Sequence, residues 1–172
     1  MIEYYTIGLI ALFACISPGP DFIVVAKHAF SHNRQSAIMA SLGISSGIII
    51  HSSYCVLGLA LIISQSLLLF SMIKYLGAAY LIYLGIKSLL SKKSHLPDGS
   101  KKMIAPNKWQ AFRDGLLTNV LNPKCTLFML SIFTLVVKPH TPTFIQASYG
   151  LEIFAITLIW FTFLSYGLTT YH

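Results

Sequence analysis

Apolar runs dominate the chain, separated by short polar connections. Five of them cover about residues 5–26, 36–62, 68–89, 112–137 and 144–168. Each is near the length at which an α-helix crosses the hydrocarbon core of a bilayer, about 20 residues at a rise of about 1.5 Å. No stretch shows the short alternating strands of a membrane barrel. The pattern predicts an all-α, polytopic helical membrane protein with about five transmembrane helices.

Two of these runs are interrupted. Ser17-Pro18-Gly19-Pro20-Asp21 lies inside the first. A proline in a helix interior removes a backbone donor and clashes one turn back. It also biases its predecessor, here Ser17 or Gly19, toward extended backbone. The helix is therefore expected to break and restart. Ser17 is the expected cap, a proline takes the first turn, and Asp21 falls near the positive end of the second half-helix. In the fourth run, Asn122-Pro123 reads as an N-cap followed by a first helical residue, which puts Lys124 within the membrane. Charges and freed backbone groups at that depth are tolerated only where protein or water surrounds them, so both breaks point to a site or pathway. The plainer reading is a kinked helix capped by Asp21, with Asp21 and Lys124 as a structural ion pair.

The second run carries Gly43-x-x-x-Gly47, then His51 and Cys55 at the same step, with Ser36 and Ala40 ahead on roughly that face. Small faces let helices approach closely in lipid, and packing against the broken first helix is the expected use. His51 either carries a proton or contacts substrate, or is a neutral imidazole bonded to a carbonyl. In the third run, Tyr80 and Tyr83 face a cavity or lie in the interfacial belt.

Composition sharpens the class. Of 172 residues, 55% are hydrophobic and 10% charged, with mean hydropathy +0.71, whereas soluble domains carry about 25% charged residues. The net charge of +7 comes from basic residues clustered in the connections at 27–35 and 91–110. That is a topogenic signal and not a nucleic-acid surface. It places the N-terminus outside, both basic connections in the cytoplasm and the C-terminus inside. Cys15, Cys55 and Cys125 stand apart and form no redox pair or disulfide framework. No basic leader or cleavage site precedes the first run, which is expected to remain as a membrane helix. No metalloprotease motif or paired thiol points to an enzyme or to a metal or organic cofactor.

Asp21 and Lys124 each follow a proline break by one residue, and three spans separate the breaks. An odd number of crossings inverts the second unit. Interrupted helices at matching places in two inverted halves point to the central site of a secondary transporter. The chain then divides into a half-repeat 1–90, a cytoplasmic loop 91–110 and an incomplete half-repeat 111–172. A zwitterion suits the two charges, its carboxylate toward Lys124 and its ammonium toward Asp21. The candidate substrate-binding residues are Asp21, Lys124, Asn122, Asn119 and Gly19, with the breaks made by Ser17, Pro18, Pro20 and Pro123. Asp21 and His51 are the candidates for carrying a coupling proton, ahead of Glu152 near the outer surface. A divalent-metal exporter is an alternative, opposed by the scarcity of carboxylates and the presence of Lys124.

Ser17-Pro18-Gly19-Pro20-Asp21, the Gly43/Gly47 face, the stretch Leu76 to Lys87, and Phe112-x-x-Gly115-x-x-x-Asn119-x-x-Asn122-Pro123-Lys124 occur in order. Together they resemble the LysE/RhtB family of bacterial amino-acid exporters, from the N-terminus to about residue 168. The resemblance implies a multi-pass protein of the bacterial inner membrane. It would export amino acids or close derivatives, driven by the proton gradient or membrane potential, without catalysis or cofactor. Lysine, homoserine, homoserine lactone, threonine, leucine and cysteine derivatives are among the substrates of such relatives. Family members usually have a sixth hydrophobic segment, and this chain stops after five. The expectations are a lost last span, a homo-oligomer or other partner supplying that surface as an assembly subunit, or a truncated non-functional fragment.

Overall fold

The computed structural model describes residues 2–90, 107–138 and 140–170. Their secondary structure is helical throughout: α1 (Ile2–Ile16), α2 (Pro20–Ser31), α3 (Arg34–Gln65), α4 (Leu67–Leu89), α5 (Lys108–Val120), α6 (Pro123–Val136) and α7 (Thr143–Thr170). Most of the expected cytoplasmic loop, 91–106, lies outside the described residues.

Both interrupted runs are split where the prolines fall. The α1–α2 pair bends by 56° and the α5–α6 pair by 59°. Taken as single bent spans, these two pairs are long and apolar enough to cross a bilayer, as are α3 and α7. In α4 the apolar part, Leu68–Leu84, is shorter.

The restarts differ in their chemistry. Asn122 caps α6, its side-chain oxygen accepting the Lys124 N–H at 3.0 Å, with Pro123 as first helical residue. At α2, Pro20 again comes first, but the cap position is Gly19, extended at φ −165° and ψ −174°, with no side-chain cap. The expectation that Ser17 caps this restart is corrected. The Ser17 N–H still bonds the Phe13 carbonyl at 3.1 Å, so Ser17 closes α1 instead. Pro20 holds Gly19, the one residue between the two prolines, extended, leaving Ser17 too far back to reach the first N–H groups of α2. Three other helix starts, those of α3, α4 and α5, use ordinary caps. The Asn33 side chain accepts from Ser36 N–H at 2.8 Å, Ser66 from Leu69 N–H at 3.1 Å, and Asn107 from Trp109 N–H at 3.2 Å.

The bundle buries polar side chains and turns large apolar ones outward. Ser41, Ser45, His51, Asn119, Thr157 and Ser165 are buried, while Leu9, Phe13, Leu57, Tyr75, Ile159 and Phe163 are exposed. A helix in lipid gains nothing by hiding leucine, whereas its polar groups must find partners inside.

At the centre, α3 packs on α2, α4, α5, α6 and α7, most extensively on α5. A Cβ on Gly43 would run into the Phe112 carbonyl and come within 2.7 Å of the Leu116 nitrogen. A Cβ on Gly47 would strike the Asn119 side chain, and one on Gly115 the Ala40 carbonyl. The small face therefore seats α5, the first half of the other broken span, and not the first span as its sequence position led one to expect. The contacts climb α3 and α5 in the same order, so the two helices run alongside in one direction. At the end where α2 stops and α5 starts, His28 Nε2 lies 3.3 Å from Asp114 Oδ2. At the other end, Lys138 Nζ meets Glu3 at 3.2 Å.

Replacing Gly43 by leucine is expected to force α3 and α5 apart and lower stability by about 1–3 kcal/mol, the usual cost of overpacking. Gly58→Ala, with nothing among the described residues within 4 Å of its Cβ position, is expected to keep stability or raise it by up to about 1 kcal/mol, alanine being the better helix former. Thermal unfolding in detergent, followed by size-exclusion fluorescence, distinguishes the two.

Candidate functional site

The two helix breaks meet, and each holds the other's charged residue. Asp21 is the second residue of α2, after Pro20. Its Oδ2 accepts from Asn119 Nδ2 at 2.8 Å and its Oδ1 from Asn122 Nδ2 at 3.3 Å. Lys124 is the second residue of α6, and its Nζ donates to the Ser17 carbonyl at 3.1 Å. That carbonyl is left without a helical partner because the chain breaks after it. Thus the carboxylate of the first break is gripped by both asparagines of the second, and the ammonium of the second by backbone of the first.

The network fixes the amide orientations. A carboxylate only accepts, so both asparagines turn their NH2 toward Asp21. The Lys124 N–H only donates, so Asn122 turns its oxygen toward it. Asn119 is fully buried, and its Nδ2 also lies 3.5 Å from Cys125 Sγ. Its carbonyl takes the His51 Nε2–H at 3.1 Å. A carbonyl can only accept, so Nε2 bears the proton and Nδ1 is free to accept from the Tyr54 hydroxyl. His51 is thereby tied to the end of α5. The Tyr80 hydroxyl donates to the Lys124 carbonyl at 3.4 Å.

A cavity of about 50 Å³ opens between the breaks, with Ser17, Gly19, Asp21, Asn122 and Lys124 on its wall. Its remaining walls come from α1, α3, α6 and α7 and are mostly apolar, including Ala14, Ile48, Phe128, Ile153 and Phe161. Binding pockets for small organic molecules measure about 300–1,000 Å³. The breaks are thus closed around a water-sized space.

Of the predicted substrate-binding residues, Asp21, Lys124, Asn122 and Gly19 share this wall. Asn119 and His51 stand one layer behind, where Asn119 holds Asp21 and His51 holds Asn119. Pro18, Pro20 and Pro123 are exposed. Gly43 and Gly47 lie at the α3–α5 crossing. Glu152 is elsewhere, in a groove between α1 and α7 beside Tyr4 and Gly8, with Oε2 buried and without a hydrogen-bond partner among the described residues. Sequence reasoning missed Cys15 and Thr157 as wall residues. Cys15 lies just ahead of the first break and Thr157 in an uninterrupted apolar run, and only the α1–α7 packing shows that they face each other. Among the described residues no group of three His, Cys, Asp or Glu side chains is placed to hold a metal ion.

Two helix breaks meeting around a carboxylate and an ammonium point to a membrane translocator, and comparison with known proteins gives the family. Residues 12–172 match the family model described as LysE type translocator, and the chain belongs to that family. It is 34% identical to the threonine efflux protein of Salmonella typhimurium, over 94% of this chain and 80% of that protein. It is 32% identical to the threonine efflux protein of Escherichia coli strain K12 with the same coverage. It is 29% identical to the leucine efflux protein of Salmonella choleraesuis, over 100% of this chain and 82% of that protein. No solved structure matches significantly. Translocators of this family are transporters and not enzymes.

Asn122→Ala removes a donor from Asp21 and the cap from α6 together. It is expected to lower stability by about 1–3 kcal/mol, and Asn122→Ser to recover part of that, read by thermal unfolding in detergent. Gly19→Ala is expected to be silent in the same assay. Its Cβ would sit 3.5 Å from Lys124 Nζ, an ordinary contact, and extended backbone suits any residue.

Proposed function

We propose that this chain is a secondary transporter that exports amino acids, or close derivatives, across the bacterial inner membrane. The observation that carries the reading is the cavity between two helix breaks with a carboxylate on one and an ammonium on the other. A zwitterion can take over both partnerships. Its ammonium replaces the asparagine amides at Asp21, and its carboxylate takes the Lys124 ammonium from the Ser17 carbonyl. The start of α6 adds a favourable dipole for that carboxylate. The efflux of threonine and leucine named for the relatives supports the same class of passenger.

The half-repeats 1–90 and 111–172 supply one break each, related by inverted topology, with similar bends in support. Passage follows from rearrangement of these halves around the breaks. The two ends of the bundle, linked by His28–Asp114 and Glu3–Lys138, are where access opens in turn.

Proton coupling is assigned to Asp21. Among the described residues it is the one carboxylate on the cavity wall, so a proton and a substrate ammonium compete for it directly. His51, the other candidate, is off the wall with both ring nitrogens engaged. A divalent cation suits the site poorly, because hard cations require several oxygen ligands and an ammonium stands beside the single carboxylate.

Cells or vesicles carrying this chain are expected to export one or more labelled zwitterionic amino acids. Asp21→Asn and Lys124→Met are each expected to reduce that export at least about tenfold, equivalent to about 1.4 kcal/mol of lost interaction. Wild-type export is expected to stop when the proton gradient and potential are collapsed together. Full export by either folded variant would remove the substrate role of that residue.

A further inference from the structure

The breaks account for the charged end of a zwitterion, and the rest of the cavity wall carries a feature they leave unexplained. Outside the breaks, the described wall residues are aliphatic or aromatic except for Cys15 on α1, Cys125 on α6 and Thr157 on α7, and of these three only Thr157 carries an oxygen on its side chain. Thr157 is buried, with 2% of its surface exposed. A buried hydroxyl in a membrane helix normally donates to the carbonyl one turn back. Ser41, Ser45, Ser52, Ser131, Thr134 and Ser165 all do so here, at 2.6–2.9 Å. Thr157 does not. Its hydrogen-bond partner is the Cys15 sulfur at 3.6 Å, and a thiol is a weak donor and a weak acceptor.

Thr157 is therefore a hydroxyl held over a cavity with its hydrogen-bonding capacity barely used. We propose that Thr157 is the specificity-determining residue of the site, and that it selects amino acids whose short side chain ends in a hydroxyl. This rests on the reading of the cavity as an amino-acid site. A substrate hydroxyl takes the place of the thiol against Thr157 and forms an O–H···O bond in an otherwise apolar wall. A methyl group in the same position leaves Thr157 with sulfur alone. Ala11 and Ala14 on α1 leave space on that side, while Phe128 and Phe161 limit length. A site that hydrogen-bonds a substrate hydroxyl discriminates against the isostere lacking it, because its own polar group is then left unpaired.

Threonine and valine are nearly isosteric and separate this effect from size. Wild-type protein in vesicles is expected to export labelled threonine about tenfold faster than valine, relative to empty vesicles. Thr157→Val, which conserves side-chain shape, is expected to erase most of that ratio while valine export persists. Thr157→Ser, which keeps the hydroxyl, is expected to retain it. Should the valine variant export neither, protection of the purified variant from thermal unfolding by threonine and by valine supplies the same ratio. An unchanged threonine-to-valine ratio in Thr157→Val, or no threonine preference in a wild type that exports other amino acids, overturns the assignment of Thr157 alone. A wild type that exports no amino acid overturns the transport reading and this inference with it.

Discussion

The structure depends on an exchange of polar partners between two helix breaks. Asp21, from the first break, is held by Asn119 and Asn122 of the second. Lys124, from the second, is held by the Ser17 carbonyl of the first. Charges within a membrane protein are costly unless hydrogen-bonded or paired. Neither break would be stable facing lipid, and together they satisfy each other. Amides reach one charge and a backbone carbonyl the other. On the proposed reading a zwitterion offers charged groups in their stead, and the arrangement that stabilises the closed bundle would then also describe its passenger.

The rest of the fold delivers these groups to one place. The glycine face of α3 allows α5 to approach until Gly43 touches Phe112 backbone and Gly47 touches Asn119. That approach brings the Asn119 carbonyl to His51 and leaves its amide aimed at Asp21. A bulkier face on α3 would move α5 outward and take the asparagine with it. The His28–Asp114 and Glu3–Lys138 contacts tie the two broken spans together near opposite ends of the bundle, leaving the cavity between them.

Much of this was legible in the sequence, for reasons of local chemistry. Proline breaks a helix wherever it falls, so Pro18, Pro20 and Pro123 announced both bends. Asn before Pro announced the α6 cap. The length and apolarity of the runs announced helices in lipid, and the matching breaks with Asp21 and Lys124 announced where charges would meet. What stayed hidden depended on which faces pack together. The small face of α3 was plain, but its partner was not, because Gly43-x-x-x-Gly47 fits any close neighbour. Ser17 looked like a cap because serine caps are common, yet the second proline displaces the restart to Gly19. Asn119 was a candidate contact to substrate from its place ahead of the break, and its bond to the Asp21 carboxylate from behind was not legible. Thr157 gave no local signal, since its meaning lies in a carbonyl it does not bond and a cysteine 142 positions away.

The central claim is that the breaks are energetically coupled through Asp21 and the asparagines, and a double-mutant cycle measures that coupling. Unfolding free energies of wild type, Asp21→Ala, Asn119→Ala and the double variant would be compared in one detergent or bilayer system. The account predicts a double-variant loss smaller than the sum of the single losses by on the order of 1 kcal/mol, beyond the ~0.3–0.5 kcal/mol scatter of independent sites. Losses that simply add, with all four proteins folded, would show that the breaks do not hold each other, and would contradict the account.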